Sequence, residues 1–216
     1  MTAAPETPSL VADAVEFRHS GGPSIGPASF ALGPGVHRLA GANGSGKTTL
    51  LRCLAADLAP TSGRVRVNGR DPHAELGARS LVGLALHPDD LPGFLTVERA
   101  WRWLAALRRC PDWDGDGIAA RLGLDASLRL ADASAGQRRR AGLLASLVGD
   151  PSVLLLDEPW AAIDVEGAAT VDALIEEARR SRVVLLATHG EARVTIDSTV
   201  GVTPMRVDAG ADRADR

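Results

Sequence analysis

The chain has 216 residues, 45% of them hydrophobic and 24% charged, which is enough to bury the core of one large domain, with or without a small insert. Its net charge of −3 gives no reason to expect a nucleic-acid partner. No run approaches the ~18 apolar residues of a membrane-spanning helix, and residues 1–9 lack the pattern of a signal peptide. Cys53 and Cys110 fit neither a metal cluster nor a disulfide framework, so we expect a cytoplasmic protein with two free thiols.

The first part of the chain is predicted to be rich in strands. Alternating or continuous apolar residues predict strands at Leu10–Arg18, Ala28–Leu32, Val36–Ala40, Arg64–Asn68 and Leu81–Leu86. A helix that ends before Pro60 is predicted between the third and fourth strands, because leucine recurs on one helical face at positions 50, 51, 54 and 58. A turn is expected at residues 21–23, where two glycines precede a proline.

The period of the apolar residues changes at Thr96, where helical spacing begins. Helices are predicted after Thr96 and around Ile118–Leu122 and Ala135–Leu147; they are followed by a strand at Val153–Asp157, a helix across Gly167–Arg179 and a strand at Val183–Ala187. This order predicts one layered α/β domain over residues 10–207, with a helical subdomain at about residues 88–150. Residues 1–9 and 208–216 are predicted to be flexible ends.

A glycine-rich loop follows the third predicted strand and matches the phosphate-loop pattern G-x-x-x-x-G-K-[ST] without a gap. Its glycines allow consecutive backbone N–H groups to face one phosphate, and the helix that follows adds the positive end of its dipole. Lys47 is the only lysine in the chain and is placed to reach the β- and γ-phosphates, while the Thr48 hydroxyl is placed to bind Mg²⁺. The predicted ATP contacts in this loop are Gly41, Ala42, Asn43, Gly44, Ser45, Gly46, Lys47, Thr48 and Thr49.

Two carboxylates end the apolar strand Val153–Asp157. A strand this apolar is typical of the interior of a parallel sheet, whose C-terminal edge opens onto the ligand crevice. Asp157 is therefore a candidate ligand of a hydrated Mg²⁺, which prefers oxygen donors. Glu158 is a candidate base for the attacking water. A solvated acidic turn before Pro159 is the alternative explanation of the pair.

Three further motifs identify the class of nucleotide enzyme. Ala133–Gln137 resembles the signature of ABC (ATP-binding cassette) ATPases and ends 20 residues before Asp157. Asp164 closes a segment that is similar to the D-loop of that family, and His189 follows the apolar strand Val183–Ala187 as the family's switch histidine does. The motifs occur in the family's order over about residues 10–205.

The resemblance implies a P-loop NTPase fold, with a RecA-like α/β core, an antiparallel β subdomain and a helical subdomain. It implies that Lys47, Glu158 and His189 are catalytic, and that Ser134, Gly136, Gln137 and Asp164 complete the ATP site of a second cassette, in a homodimer or a heterodimer. The implied partners are transmembrane permease subunits, which would hold the chain on the inner face of the cell membrane. The residues alone leave Ser134 open as a simple helix cap and His189 as an ordinary strand-end histidine.

Two positions depart from the family pattern. His19 falls where the family has an aromatic residue that stacks on adenine, and His87 falls where it has a glutamine that touches Mg²⁺ and the membrane subunits. Imidazole offers less stacking area and is a poor magnesium ligand, so we expect weaker adenine binding and an indirect role for His87. The signature followed by Arg138-Arg139 is similar to that of haem-exporter-type ATPases.

Two groups of side chains in the helical subdomain have open interpretations. Residues 138–140 are all arginine and are interpreted as a solvated helix face rather than a nucleic-acid patch. Trp101 and Trp103 either line a groove for a helix of a membrane subunit or belong to the core.

The predicted function is therefore that of the ATP-hydrolysing subunit of an ABC transporter, with export favoured by the short chain. The alternative is a soluble ABC-type ATPase of DNA repair or translation. Only 85 residues separate Thr48 from Ser134, which leaves no room for the long coiled coil of a repair ATPase.

Overall fold

The computed structural model describes residues 9–18, 24–86 and 91–205. In chain order its strands are β1 (Leu10–Phe17), β2 (Ser24–Leu32), β3 (Gly35–Ala40), β4 (Ser62–Val67), β5 (Val82–Ala85), β6 (Val153–Asp157), β7 (Val183–Ala187), β8 (Ser198–Gly201) and β9 (Thr203–Met205). Its helices are α1 (Lys47–Leu54), α2 (Leu76–Arg79), α3 (Val97–Leu107), α4 (Gly115–Arg121), α5 (Ala135–Leu147) and α6 (Val165–Ala178), with a 3₁₀ turn at Leu130–Asp132.

A parallel five-stranded sheet in the order β5-β6-β7-β3-β8 forms the centre of the fold. All five residues of β6 and of β7 are buried, which explains why these strands contain hardly any polar side chains. In the register of the sheet, Ala187 at the end of β7 lies between Asp157 of β6 and Leu39 of β3. The ends of three strands that are far apart in sequence therefore meet at one edge.

A second, antiparallel sheet has the order β4-β1-β2-β9 and packs against α1 and the parallel sheet in a common core. A separate apolar cluster unites α3, α4 and α5 around the buried side chain of Trp101, which is 3% exposed. Trp113 packs edge-on against Trp101, with ring centroids 6.0 Å apart. The predicted fold class of α/β core, antiparallel sheet and helical part is confirmed.

Trp101 and Trp103, for which the sequence left open a groove or a core position, have different environments. Trp101 belongs to the core of the helical part, whereas Trp103 is 53% exposed on the same helix. None of the helices in the described ranges is long and apolar enough to cross a bilayer.

The predicted helix after the phosphate loop was too long. α1 ends at Leu54, and Leu58 lies beyond it as a partly buried residue. The helix stops because Ala56 adopts a positive φ of 57°, and the N–H groups of Asp57 and Leu58 both donate to the carbonyl of Arg52. The predicted turn at residues 21–23 and most of the predicted flexible ends lie outside the described residues.

Candidate active site

The phosphate loop connects the end of β3 to the start of α1 in a conformation that only glycine accommodates easily. Gly44 and Gly46 have positive φ angles of 74° and 97°. A Cβ on Gly46 would come within 1.9 Å of the Ile25 side chain, so the antiparallel sheet also closes against the loop. No side chain caps the N-terminus of α1, so its first N–H groups have no side-chain acceptor and can donate to a bound anion.

Lys47 is buried beneath this loop, at 5% exposure. Its Nζ donates to the carbonyl oxygens of Gly41, at 2.8 Å, and Ala42, at 3.1 Å. The Ser45 hydroxyl is also buried and finds no hydrogen-bond partner among the described residues. A buried ammonium group and an unpaired hydroxyl at a helix N-terminus fit an anionic ligand with several oxygen atoms.

Thr48 and Asp157 form the link between the phosphate loop and the parallel sheet. The Thr48 hydroxyl donates to Oδ2 of Asp157 over 2.6 Å, although the two residues are 109 positions apart in sequence. Asp157 is 5% exposed at the end of β6. One hydroxyl and one carboxylate, both oxygen donors beside a phosphate loop, fit the ligand preference of Mg²⁺.

Glu158 follows Asp157 at the same edge and adopts a positive φ of 49°. Its N–H donates to the carbonyl of Ala187 over 2.8 Å, which joins it to the end of β7. The next residues of that strand lead to His189, whose Nε2 lies 3.6 Å from Oε1 of Glu158. The side chain of His189 is 52% exposed, whereas that of Glu158 is 21% exposed, and its Oε1 is buried without a hydrogen-bond partner among the described residues.

The signature segment, residues 133–137, lies at the start of α5 and satisfies its own polar groups. The Ser134 hydroxyl accepts from the N–H of Gln137 at 3.2 Å, and the Gln137 side chain accepts from the N–H of Ser134 at 2.8 Å. These two bonds form a capping box. A Cβ on Gly136 would lie 2.7 Å from the carbonyl of Ala162, so the segment packs against the chain that precedes α6.

Asp164 ends that chain and caps α6, accepting from the N–H of Gly167 over 2.8 Å. Ser134 and Asp164 are both exposed. Among the described residues, no hydrogen bond or ion pair joins residues 133–137 to the phosphate loop. The structure thus brings the predicted residues together in two groups: Lys47, Thr48, Asp157, Glu158 and His189 in one, and Ser134, Gly136, Gln137 and Asp164 in the other.

Two predicted residues cannot be placed in either group. His19 and His87 both lie outside the described residues, so adenine stacking by His19 and an indirect role for His87 stay predictions.

The burial of Arg139 was not predicted from the sequence. The interpretation of residues 138–140 as a solvated helix face is wrong for Arg139, which is 2% exposed and donates to the carbonyls of Leu86 and Asp157. Helical spacing contained the signal, because Leu143 lies one turn further along the same face and is buried.

Cys53 lies on α1 close to the site but is not a candidate nucleophile. Burial raises the pKa of its thiol to about 12, and the negative charge of Asp57 adds to the effect. A thiol with this pKa stays protonated at neutral pH, so it is chemically inert.

A phosphate loop, a Thr–Asp pair and an adjacent carboxylate at one edge of a parallel sheet define a P-loop nucleoside triphosphatase. The sequence model of the family described as "ABC transporter" matches residues 26–161. The chain belongs to this family, and is an ATP-binding and ATP-hydrolysing subunit of the ABC transporter type.

Individual relatives agree with this assignment. The cytochrome c biogenesis ATP-binding export protein CcmA of Alkalilimnicola ehrlichii is 38% identical over 200 residues, which cover 87% of this chain and 83% of CcmA. The ATP-binding/permease protein Rv1747 of Mycobacterium tuberculosis is 36% identical over 160 residues, but these cover 69% of this chain and only 18% of Rv1747. An ATP-binding cassette solved as a dimer in a post-hydrolysis state with ADP and Pi has the same fold, with a TM-score of 0.70, 20% identity and coverage of 84% and 88%.

Proposed function

We propose that this chain hydrolyses ATP to drive transport through separate membrane-spanning subunits, and that the transport is export. The similarity to CcmA supports export, since that relative is named as an ATP-binding export protein and matches over most of both lengths. The observation that carries the proposal is the division of the site residues into two groups: among the described residues, no hydrogen bond or ion pair joins residues 133–137 to the phosphate loop. One group lies at the edge that carries the phosphate loop, and the other includes the exposed side chains of Ser134 and Asp164.

The chemistry of hydrolysis is assigned to the first group. The loop N–H groups and Lys47 bind the phosphates and neutralise charge that develops as the terminal phosphate leaves. Glu158 accepts a proton from the attacking water through its carboxylate, and His189, 3.6 Å away, orients that water and the terminal phosphate. Oε1 of Glu158 is buried and has no hydrogen-bond partner among the described residues, so it can accept a hydrogen bond from that water.

Thr48 and Asp157 are the proposed holders of Mg²⁺. The hydrogen bond of 2.6 Å between the Thr48 hydroxyl and the Asp157 carboxylate shows that both candidate Mg²⁺ ligands lie close together, next to Lys47 in the chain. When bound there, the ion would supply positive charge to the phosphate oxygens. Asp157 is fixed for this purpose by its position at the end of a fully buried strand.

The second group is proposed to close over the ATP of another cassette. Ser134 and Gly136 lie at a helix N-terminus, where N–H groups and the dipole favour a phosphate. Ser134 is exposed and Gly136 is half-buried, and neither makes a hydrogen bond to the phosphate loop of its own chain in the described structure, so their surface is available to a partner chain. Gln137 holds Ser134 in place through the capping box, and Asp164 lies on the neighbouring segment.

Mixed variants test whether the two groups act across a dimer. Lys47→Ala disables the phosphate loop and Ser134→Arg disables the signature, so each variant alone is expected to be inactive. In a mixture, one composite site of each mixed dimer is intact, and turnover is expected to recover to at most about a quarter of the wild-type rate. A wild-type chain that shows undiminished turnover as an isolated monomer would contradict the shared site.

Co-purification tests the link to transport. The chain should be retained with a polytopic membrane protein from detergent-solubilised membranes, and its turnover should respond to that subunit in lipid vesicles. Lys47→Ala is the matched control, because it should still co-purify but give no turnover. Stimulation by DNA or by ribosomes, without a membrane partner, would favour the soluble repair or translation ATPase instead.

A further inference from the structure

Arg139 is the largest fully buried side chain of the described residues, and it lies close to the proposed catalytic centre. It stands on α5 five residues after Ser134, so it belongs to the same helix end as the signature segment. Its two terminal guanidinium nitrogens donate to the backbone carbonyls of Leu86 and Asp157. A buried charge needs such partners, and the forked guanidinium can serve two acceptors at once.

The two carbonyls lie where the pairing of β5 with β6 ends. The last register pair joins Ala85 to Leu156, and Leu86 and Asp157 are the next residue of each strand. Beyond that pair, the guanidinium of Arg139 bridges the two carbonyls that follow it. A charged donor makes this a stronger bond than the amide of a strand would make.

The peptide unit that receives this bond is the one between Asp157 and Glu158. Its carbonyl accepts from Arg139, and its N–H, which belongs to Glu158, donates to Ala187 over 2.8 Å. The peptide is therefore held from both sides. Glu158 has a φ of 49°, a conformation that a residue with a side chain adopts only when its surroundings impose it.

We propose that Arg139 is a positioning residue that fixes this peptide, and with it the carboxylates of Asp157 and Glu158, to the start of α5. The inference rests on the proposed roles of Glu158 and Ser134. A displacement of the signature end of α5 by a partner cassette would then pull directly on the backbone that aims Glu158. Arg139 touches neither the reacting water nor the nucleotide in this scheme and acts only through that backbone.

The test compares Arg139→Met with Arg108→Met. Arg108 is a matched control, because its two terminal nitrogens also donate to two backbone carbonyls, those of Val148 at 2.8 Å and Val82 at 3.0 Å. Val82 is the first residue of β5, so the control removes the same kind of bridge at the opposite end of the same strand. Loss of general stability should be similar in the two variants.

The first measurement is the hydrogen exchange of the Glu158 backbone amide, followed by NMR without nucleotide. Exchange should become at least about 10-fold faster in Arg139→Met and change less than about 3-fold in Arg108→Met, because only the former frees this peptide on one side. The second measurement is ATP turnover. In Arg139→Met, kcat should fall at least about 10-fold while KM changes less than about 3-fold, since Lys47 and the glycines that bind the phosphates are unchanged.

Arg139→Lys provides the graded variant and serves as the main comparison if the methionine variant does not fold. Lysine keeps the charge but lacks the fork, so amide exchange should rise by about 3-fold or more. Unchanged exchange of the Glu158 amide in both Arg139 variants would overturn the inference, as would equal effects of Arg108→Met. A wild-type chain without turnover would count against the proposed function alone, because the exchange measurement still decides the role of Arg139.

Discussion

The phosphate-loop edge is the edge of the parallel sheet that carries Lys47, Thr48, Asp157, Glu158 and His189. It and the signature segment hold their functional side chains in opposite ways. At the edge, the buried Lys47 donates to the carbonyl of Gly41 in its own loop, and the exposed Thr48 donates to the buried Asp157 at the end of β6. In the signature segment, Ser134 and Gln137 are tied only to each other, at a helix end that solvent reaches. The edge is assembled by the fold of one chain, whereas the signature segment completes a site on a second chain in the proposed function.

The difference indicates which variants should damage binding and which should damage only turnover. Changes at the edge act on the nucleotide that this chain binds. Changes in the signature segment should leave that binding intact, since the segment makes no bond to its own phosphate loop in the described structure. Arg139 lies two residues beyond the segment and joins the start of α5 to the backbone of Asp157, so its variants should lower turnover with little effect on binding.

The largest effect is expected for Glu158→Gln. Loss of the general base should lower the rate of phosphate release by about 10²- to 10⁴-fold, while the phosphate loop still binds Mg-ATP. Glu166→Gln is the control, because Glu166 is an exposed glutamate in the first turn of α6. Phosphate release close to the wild-type rate in Glu158→Gln would show that Glu158 is not the general base.

Lys47→Ala should lower turnover by about 10²- to 10³-fold and weaken ATP binding as well. Lys47 has two tasks, since its Nζ also donates to the carbonyls of Gly41 and Ala42 that shape the loop. Equilibrium binding of labelled ATP measures the effect. An unchanged dissociation constant would show that the loop does not depend on this ammonium group.

Ser134→Ala separates the capping role of the serine from its proposed role toward phosphate. Thr96→Ala is the matched change, because Thr96 caps α3 by accepting from the N–H of Arg99 at 3.3 Å. Each variant should lose about 1 kcal/mol of unfolding free energy, measured in urea. Only Ser134→Ala should also lose turnover, by about 10-fold or more, through the missing bond to a charged group. Equal turnover in both variants would reduce Ser134 to a helix cap.

The smallest effect is expected where the helical part meets the core, at the ion pair between Arg121 of α4 and Glu177 of α6. The hydrogen bond from Arg121, and then its charge, hold the pKa of Glu177 below its ordinary value. A lowered pKa in the folded state means that the stabilisation exists above the unfolded pKa and is lost as the pH falls through the folded one. Both side chains are largely exposed, so Arg121→Ala should cost at most about 0.5 kcal/mol at neutral pH.

That stability difference, measured by urea unfolding, should shrink in high salt and in acid. If Arg121→Ala lowered the unfolding free energy by well over about 1 kcal/mol and salt did not reduce this loss, Arg121 would contribute more than a surface ion pair does.

Local rules predicted two strands to the residue. Val153–Asp157 and Val183–Ala187 have the predicted bounds because each is a short apolar run, and the helix predicted around Ala135–Leu147 is present as α5. The helix predicted to reach Leu58 was wrong, because leucine spacing cannot show that Ala56 takes a positive φ and stops α1 at Leu54. Periodicity describes one face of a helix, whereas its end depends on backbone hydrogen bonds.

The sequence by itself determined the phosphate loop, the two carboxylates and the family, because each rests on the chemistry and spacing of neighbouring residues. Only the tertiary structure placed Glu158 next to His189 and buried Arg139 between two strand ends, because parallel strands bring together segments that are distant along the chain. It also showed that Ser134 makes no bond to the loop of its own chain. An arginine side chain can be buried only where the fold places carbonyl acceptors within hydrogen-bond distance of its guanidinium group. No local sequence pattern encodes the distance between that group and carbonyls of other segments.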